Sequence, residues 1–196
     1  MSNGPPLILF PKNFHGRCFR LRSHLAAGNR SAAIDCWKQI ILQQNLEPRL
    51  YLQAWHFLRQ NGQQPPPDVA KQVLGIVIEV GLPNGVDLLA AYPDHSARYY
   101  NYSGAGVIWE HPDGSLDSAI DQLLVASKTI VDKIGPWEKS RPTPPPRDQA
   151  RLNFLTPSGL HFGQAPISAL ARDPMAAQVL NLGTVLMQAL IAKTGK

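Results

Sequence analysis

Cysteine is scarce in this chain, two in 196 residues. A lone pair, Cys18 and Cys36, does not make a disulfide scaffold at this length, so a reducing cytoplasm is the expected compartment. Long hydrophobic runs are missing too. No window approaches the roughly 20 apolar residues of a membrane span, and residues 7–10 are too short and too proline-flanked for the core of a signal peptide. Motifs that carry chemistry are also lacking. No His-x-x-x-His or paired-Cys spacing offers a set of metal ligands, and His95 and His111, each beside a carboxylate in a predicted turn, read as surface histidines. Ser103-Gly-Ala-Gly106 is no nucleophile elbow, and its glycines lack the spacing and lysine of a phosphate-cradling loop. Cys36 next to Trp37 is structural, and no base accompanies Cys18 to activate it. The expectation is no cofactor, no metal and no membrane.

What the chain does have is an alternating stretch over residues 73–110, rich in β-branched, aliphatic and tyrosine residues and cut by turn dipeptides. Alternation places Ile76, Ile78, Val80 and Leu82 on one side of a strand, with Val77, Glu79 and Gly81 on the other. Pro83-Asn84-Gly85 then turns the chain. With Pro83 at the second position of a type I turn and Gly85 left-handed in a bulge, Leu82 falls opposite Val86 and Gly81 opposite Asp87. Pro93-Asp94 supplies the next turn, and residues 97–102 and 107–110 complete a meander.

Helical periodicity flanks these strands. Residues 24–44 carry Ala33, Trp37, Ile40 and Ile41 on one stripe, and Pro48 opens a second helix with Leu52, Trp55 and Leu58 that stops at Asn61-Gly62. The spacing of Gly28, Ala33, Trp37, Ile40 and Pro48 resembles the rhythm of a tetratricopeptide hairpin, but one unit is not an array, and it reads as a cover packed on the sheet. Asp68 is expected to cap a short helix over residues 69–72. Ser115 is expected to cap a helix bearing Leu116, Ile120, Leu123, Leu124, Ile130 and Ile134. A proline-rich linker, 136–150, leads to a hairpin around Pro157-Ser158-Gly159, with His161 pointing outward. Asp173-Pro174 starts a last helix with Met175, Val179, Leu182, Leu186 and Leu190 inward.

Charge is divided unevenly. Residues 1–72 contain nine Lys/Arg against three Asp/Glu, and residues 73–196 ten against eleven. Arg17, Arg20, Arg22 and Arg30, interleaved with phenylalanines, are the residues with which such an arm would contact nucleic acid. Pro142, Pro145 and Arg147 have the spacing of a polyproline ligand for an aromatic groove, while a strap or stiff spacer explains the same prolines. The expected register gathers Glu79, Asp87, Arg98, Tyr100 and Tyr102 on one sheet face, together with Val77, Leu89 and Ala91. Two carboxylates beside an arginine and phenols suit a polar ligand, a partner or, if buried, acid–base chemistry. The apolar neighbours call for a cover, which the N-terminal helices would supply.

The sequence therefore predicts an α+β protein: a basic arm and helical hairpin over 1–72, then over 73–196 a mainly antiparallel sheet of five or six strands, ordered as meander, helix, hairpin and helix. The function it favours is a non-enzymatic cytosolic interaction or accessory protein acting through its sheet face, N-terminal helices and proline-rich segment, with another protein as partner. Nucleic-acid binding by the basic segment is the alternative, and an enzyme using the acidic residues of the polar face is the second.

Overall fold

Alternating strands are stable only where the pleat sets its apolar side against something, and here two helices supply that surface. The computed structural model describes residues 29–193. Strands β1 (Gly75–Leu82), β2 (Gly85–Ala91), β3 (Ala97–Tyr100), β4 (Gly106–Trp109), β5 (Gln149–Thr156) and β6 (Gly159–Pro166) form one antiparallel sheet in the order β4-β3-β2-β1-β5-β6. Helices α1 (Arg30–Ile41), α2 (Pro48–Gln60) and α3 (Pro67–Ala70) precede the sheet. Helix α4 (Asp117–Val131) joins β4 to β5, and α5 (Ile167–Leu170) and α6 (Pro174–Ala192) follow β6. This is the α+β architecture the periodicity predicts, with six strands.

Ile76 and Ile78 of β1, Leu89 and Ala91 of β2, and Leu152 and Phe154 of β5 are buried in one cluster with Ile120 and Leu123 of α4 and Val179, Leu186 and Leu190 of α6. Each such side chain withdrawn from water contributes roughly 1.5–3 kcal/mol. Helix α6 can lie close to the sheet because Gly183 faces it: a Cβ there would stand 2.4 Å from Ile78 Cδ1. The start of α6 is set by Asp173, whose side chain accepts from the backbone N–H groups of Met175 and Ala176, followed by Pro174 in the first turn. By length and composition α6 is apolar enough to cross a membrane, with a mean hydropathy of 1.5. In this fold its Ala176, Val179, Gly183, Leu186 and Leu190 stripe is buried.

The helical hairpin has its own small core. Ala33, Trp37, Ile40, Ala54, Trp55 and Leu58 cluster apart from the sheet core, and Trp37 stacks on Phe57 with ring centroids 4.7 Å apart. It meets the rest of the chain near the ends of strands, where Arg59 donates to the Pro157 carbonyl and the Arg49 guanidinium lies over the Tyr92 ring.

Several local expectations are corrected. Helix α1 runs from Arg30, with Asn29 as its cap, to Ile41, short of residue 44, and the part of the expected helix before Asn29 lies outside the described residues. Helix α3 spans Pro67–Ala70, because Pro67 is preorganised for a first turn and Asp68 sits inside it. Asp113, not Ser115, makes the cap before α4: its carboxylate accepts from the Ser115 N–H and opens a short 3-10 turn, Gly114–Leu116. Helix α4 ends at Val131, short of Ile134.

The larger correction concerns register. The β1–β2 turn holds only Pro83 and Asn84, with Leu82 paired to Gly85 and Val80 to Asp87. Pro83 at the first loop position has no ladder bond to donate, so the shorter turn suits it. A slip of one residue reverses the faces of a strand. Leu88 and Ala90 therefore share the Glu79 face, while Asp87, Leu89 and Ala91 lie on the core side.

Candidate functional site

The Glu79 face divides into two halves of different character. On the β1-β5-β6 half, Glu79 pairs across strands with Arg151, and Arg151 with Gln164. Glu79 is 7% exposed and Arg151 fully buried. One Glu79 oxygen accepts from Arg141 Nη2 at 2.8 Å; the other accepts from Asn153 Nδ2 at 3.0 Å and lies 3.5 Å from Arg151 Nη1. Arg151 also donates to Gln164 Oε1 at 2.9 Å and to the carbonyls of Pro142 and Thr143, and its guanidinium lies over Phe162. A buried arginine needs this many acceptors, because an unpaired charge in such a place is expensive.

Those carbonyls belong to the proline-rich segment, which crosses this half as a strap. Trp137 packs edge-on against Phe162, its backbone N–H donating to the Leu160 carbonyl at 2.6 Å and its indole N–H to the Ser140 carbonyl at 3.0 Å. Further along, a Cβ on Gly81 would stand 2.0 Å from Pro146 O, so the strap runs directly over a residue without a side chain. Pro145 is buried here while Pro142 is half-buried and Arg147 exposed. The three residues of the polyproline spacing are thus not presented together: the prolines hold the strap to the domain. The cover over Glu79 is this strap, where the N-terminal helices were expected.

The β2-β3-β4 half of the same face is open toward β4, while Ala90 of β2 is buried. Leu88 and Tyr100 pair across β2 and β3, Arg98 and Ile108 across β3 and β4. Ile108 is 55% exposed. Arg98 donates to Glu110 at 2.8 Å at the rim. Of the residues expected to share one face, Glu79, Arg98 and Tyr100 do so; Tyr102 falls past the end of β3, outside the paired strands, and Asp87 does not share the face. Its carboxylate accepts from the Tyr99 hydroxyl at 2.8 Å and from the Tyr102 backbone N–H at 2.9 Å, beside a pocket of about 70 Å³ lined by Leu180, Thr184 and Met187. Burial, then the hydrogen bond to Asp87 and its charge, push the Tyr99 phenol up to about 12. Glu79 and Asp87 therefore point to opposite sides of the sheet and do not form a carboxylate pair.

Of the basic residues, Arg17, Arg20 and Arg22 lie outside the described residues, and Arg30 Nε donates to Asn61 Oδ1 at 2.6 Å. His161, expected to point out, is fully buried on the core side opposite Phe154, because Thr156 and Gly159 close the β5–β6 turn at a register that turns it inward. Its Nδ1 is 3.4 Å from Thr156 Oγ1 and its Nε2 has no partner. Burial lowers its pKa; a Gly159 backbone hydrogen bond opposes this and the charge of Lys71 adds to it.

One constellation was missed in the sequence. His95, in the β2–β3 turn, and His111, in the β4–α4 turn, come within 5.1 Å ring to ring. His95 Nε2 lies 3.0 Å from Asp121 Oδ1, His95 Nδ1 3.8 Å from Asp117 Oδ2, and His111 Nε2 3.0 Å from Asp117 Oδ1. Both histidines have left-handed backbones, φ 58° and 54°, a conformation that costs a non-glycine residue about 1 kcal/mol or more. The signal was in the pairing of Ala97 with Trp109: His95 and His111 each stand two residues outside that pair, at the same end of the sheet. Each turn read alone does not show it. Neither a protein-family model, a curated protein nor a solved structure matches this chain.

Proposed function

We propose that this chain is a non-enzymatic interaction protein that binds another polypeptide on the open β2-β3-β4 half of the Glu79 face. The observation that carries this reading is the exposure of Ile108 beside Arg98, Tyr100 and Leu88, on a sheet face whose other half is sealed by the chain's own strap. Aromatic and aliphatic side chains grouped beside an Arg–Glu rim are the composition of a protein-binding patch, with the central residues excluding water and the ion pair at the border setting register. The separation of Glu79 from Asp87 across the sheet, and the two arginines and the asparagine that engage Glu79, weigh against acid–base catalysis there.

A photoreactive amino acid at position 108, introduced in the native host, tests the reading. A discrete adduct is expected, absent when the probe sits at Val125, which is 69% exposed on α4, and lost in Tyr100→Asp. Equal adducts from both positions, or none from position 108, would overturn the proposal.

A further inference from the structure

We propose that His95, His111 and Asp117 bind one divalent transition cation of the zinc class, with Asp121 as the positioning residue for His95. The donor atoms of the three ligands lie within 4.8 Å of one another. A tetrahedral zinc shell with bonds near 2.0–2.1 Å sets its donors about 3.3 Å apart. The 3.0 Å approach of His111 Nε2 to Asp117 Oδ1 and the 3.8 Å approach of His95 Nδ1 to Asp117 Oδ2 bracket that spacing, one at each carboxylate oxygen. Two imidazoles and a carboxylate suit Zn²⁺ and its neighbours rather than Mg²⁺ or Ca²⁺, which favour oxygen donors.

The ring orientations add an independent observation. His95 directs Nε2 to Asp121 and leaves Nδ1 facing Asp117. That is the carboxylate–histidine–metal arrangement, in which the outer carboxylate takes the N–H of one ring nitrogen and fixes the lone pair of the other toward the ion. Asp117 Oδ1 is shielded from solvent without a hydrogen bond, since His111 Nε2, although 3.0 Å away, is out of line for one. An ion placed between them would satisfy this oxygen and both rings.

The ligands come from three segments: the β2–β3 turn, the β4–α4 turn and the first turn of α4. A bound cation would clamp the end of the meander to the helix that packs beneath it. The side chains of His95, His111 and Asp117 are 27%, 40% and 32% exposed, which gives the ion an entry path and leaves a fourth position to water. The site is remote in kind from the open sheet face, and its failure would leave the interaction reading untouched.

The test is calorimetric titration of Zn²⁺ into the untagged full chain, alongside NMR of its histidine ring protons with Co²⁺. One Zn²⁺ per chain is expected, with paramagnetic shifts at His95 and His111. Affinity should fall at least about 100-fold in His95→Ala/His111→Ala, about 10-fold in Asp121→Asn, and stay unchanged in His56→Ala. Because the Co²⁺ measurement uses the unaltered chain, it decides the matter even where a variant misfolds. Absence of stoichiometric uptake, uptake that the double variant retains, or Co²⁺ shifts confined to other histidines would overturn the site.

Discussion

The two halves of the Glu79 face invert the usual assignment of polar and apolar residues. Under the strap, Glu79, Arg151 and Asn153 are buried; on the open half, Ile108 is more than half exposed. Both halves belong to the same antiparallel sheet and the same pleat. The difference arises from what crosses each: a proline-rich segment whose carbonyls receive the Arg151 guanidinium, or only the Arg49 side chain at the rim, over Tyr92 and near Glu110. A polar cluster can lie inside when every charge finds a partner, and an apolar one can lie outside when a partner molecule is to cover it.

That contrast can be broken most severely at Glu79. Glu79→Gln leaves the fully buried Arg151 without its carboxylate and should lower stability by about 3–5 kcal/mol, read as a drop in the urea midpoint at constant m-value. The next largest effect is expected at Gly81→Ala, where the new methyl meets the strap backbone at 2.0 Å. A loss of about 2 kcal/mol follows from such overpacking, and trypsin should cut faster at Lys139 or Arg147 than in the parent chain while the strands stay resistant.

A smaller effect sharpens the comparison from the other side of the sheet. The folded protein holds His161 below its ordinary pKa, so the unfolded chain takes up a proton first as pH falls. Stability is therefore lost as pH drops below about 6.5, with a slope of at most about 1.4 kcal/mol per pH unit from this group. Denaturation of the parent and of His161→Gln at about pH 7.5 and about pH 5 should show the variant losing less on acidification. A parent curve no steeper than the variant's would contradict a buried neutral imidazole. The smallest effect belongs to the open half: Ile108→Asp should change stability by no more than about 0.5 kcal/mol, yet abolish partner capture. A large fall in its melting temperature would mean that Ile108 serves the fold instead.

Much of the architecture was readable one segment at a time. The Pro48 and Asp173-Pro174 helix starts, the alternation of Ile76 and Ile78 against Val77 and Glu79, and the β5–β6 hairpin all depend on neighbours a few residues apart. The candidate face was only half readable, because one residue of turn length sent Asp87, Leu89 and Ala91 to the side opposite Glu79. The strap was foreseen as one explanation of the prolines, but not that it would cover Glu79: the pairing of Arg151 with the Pro142 and Thr143 carbonyls depends on β5 docking beside β1.

The order of amino acids by itself determined which segments are helix and strand and which side of β1 is greasy, because propensity and a two-residue pleat act over short distances. Only the tertiary structure decided which polar residues are sealed, that His161 faces inward, and that His95 and His111 converge on Asp117. Those outcomes require segments far apart in the chain to meet. The energy that selects such meetings comes from desolvation and packing, which no stretch carries alone.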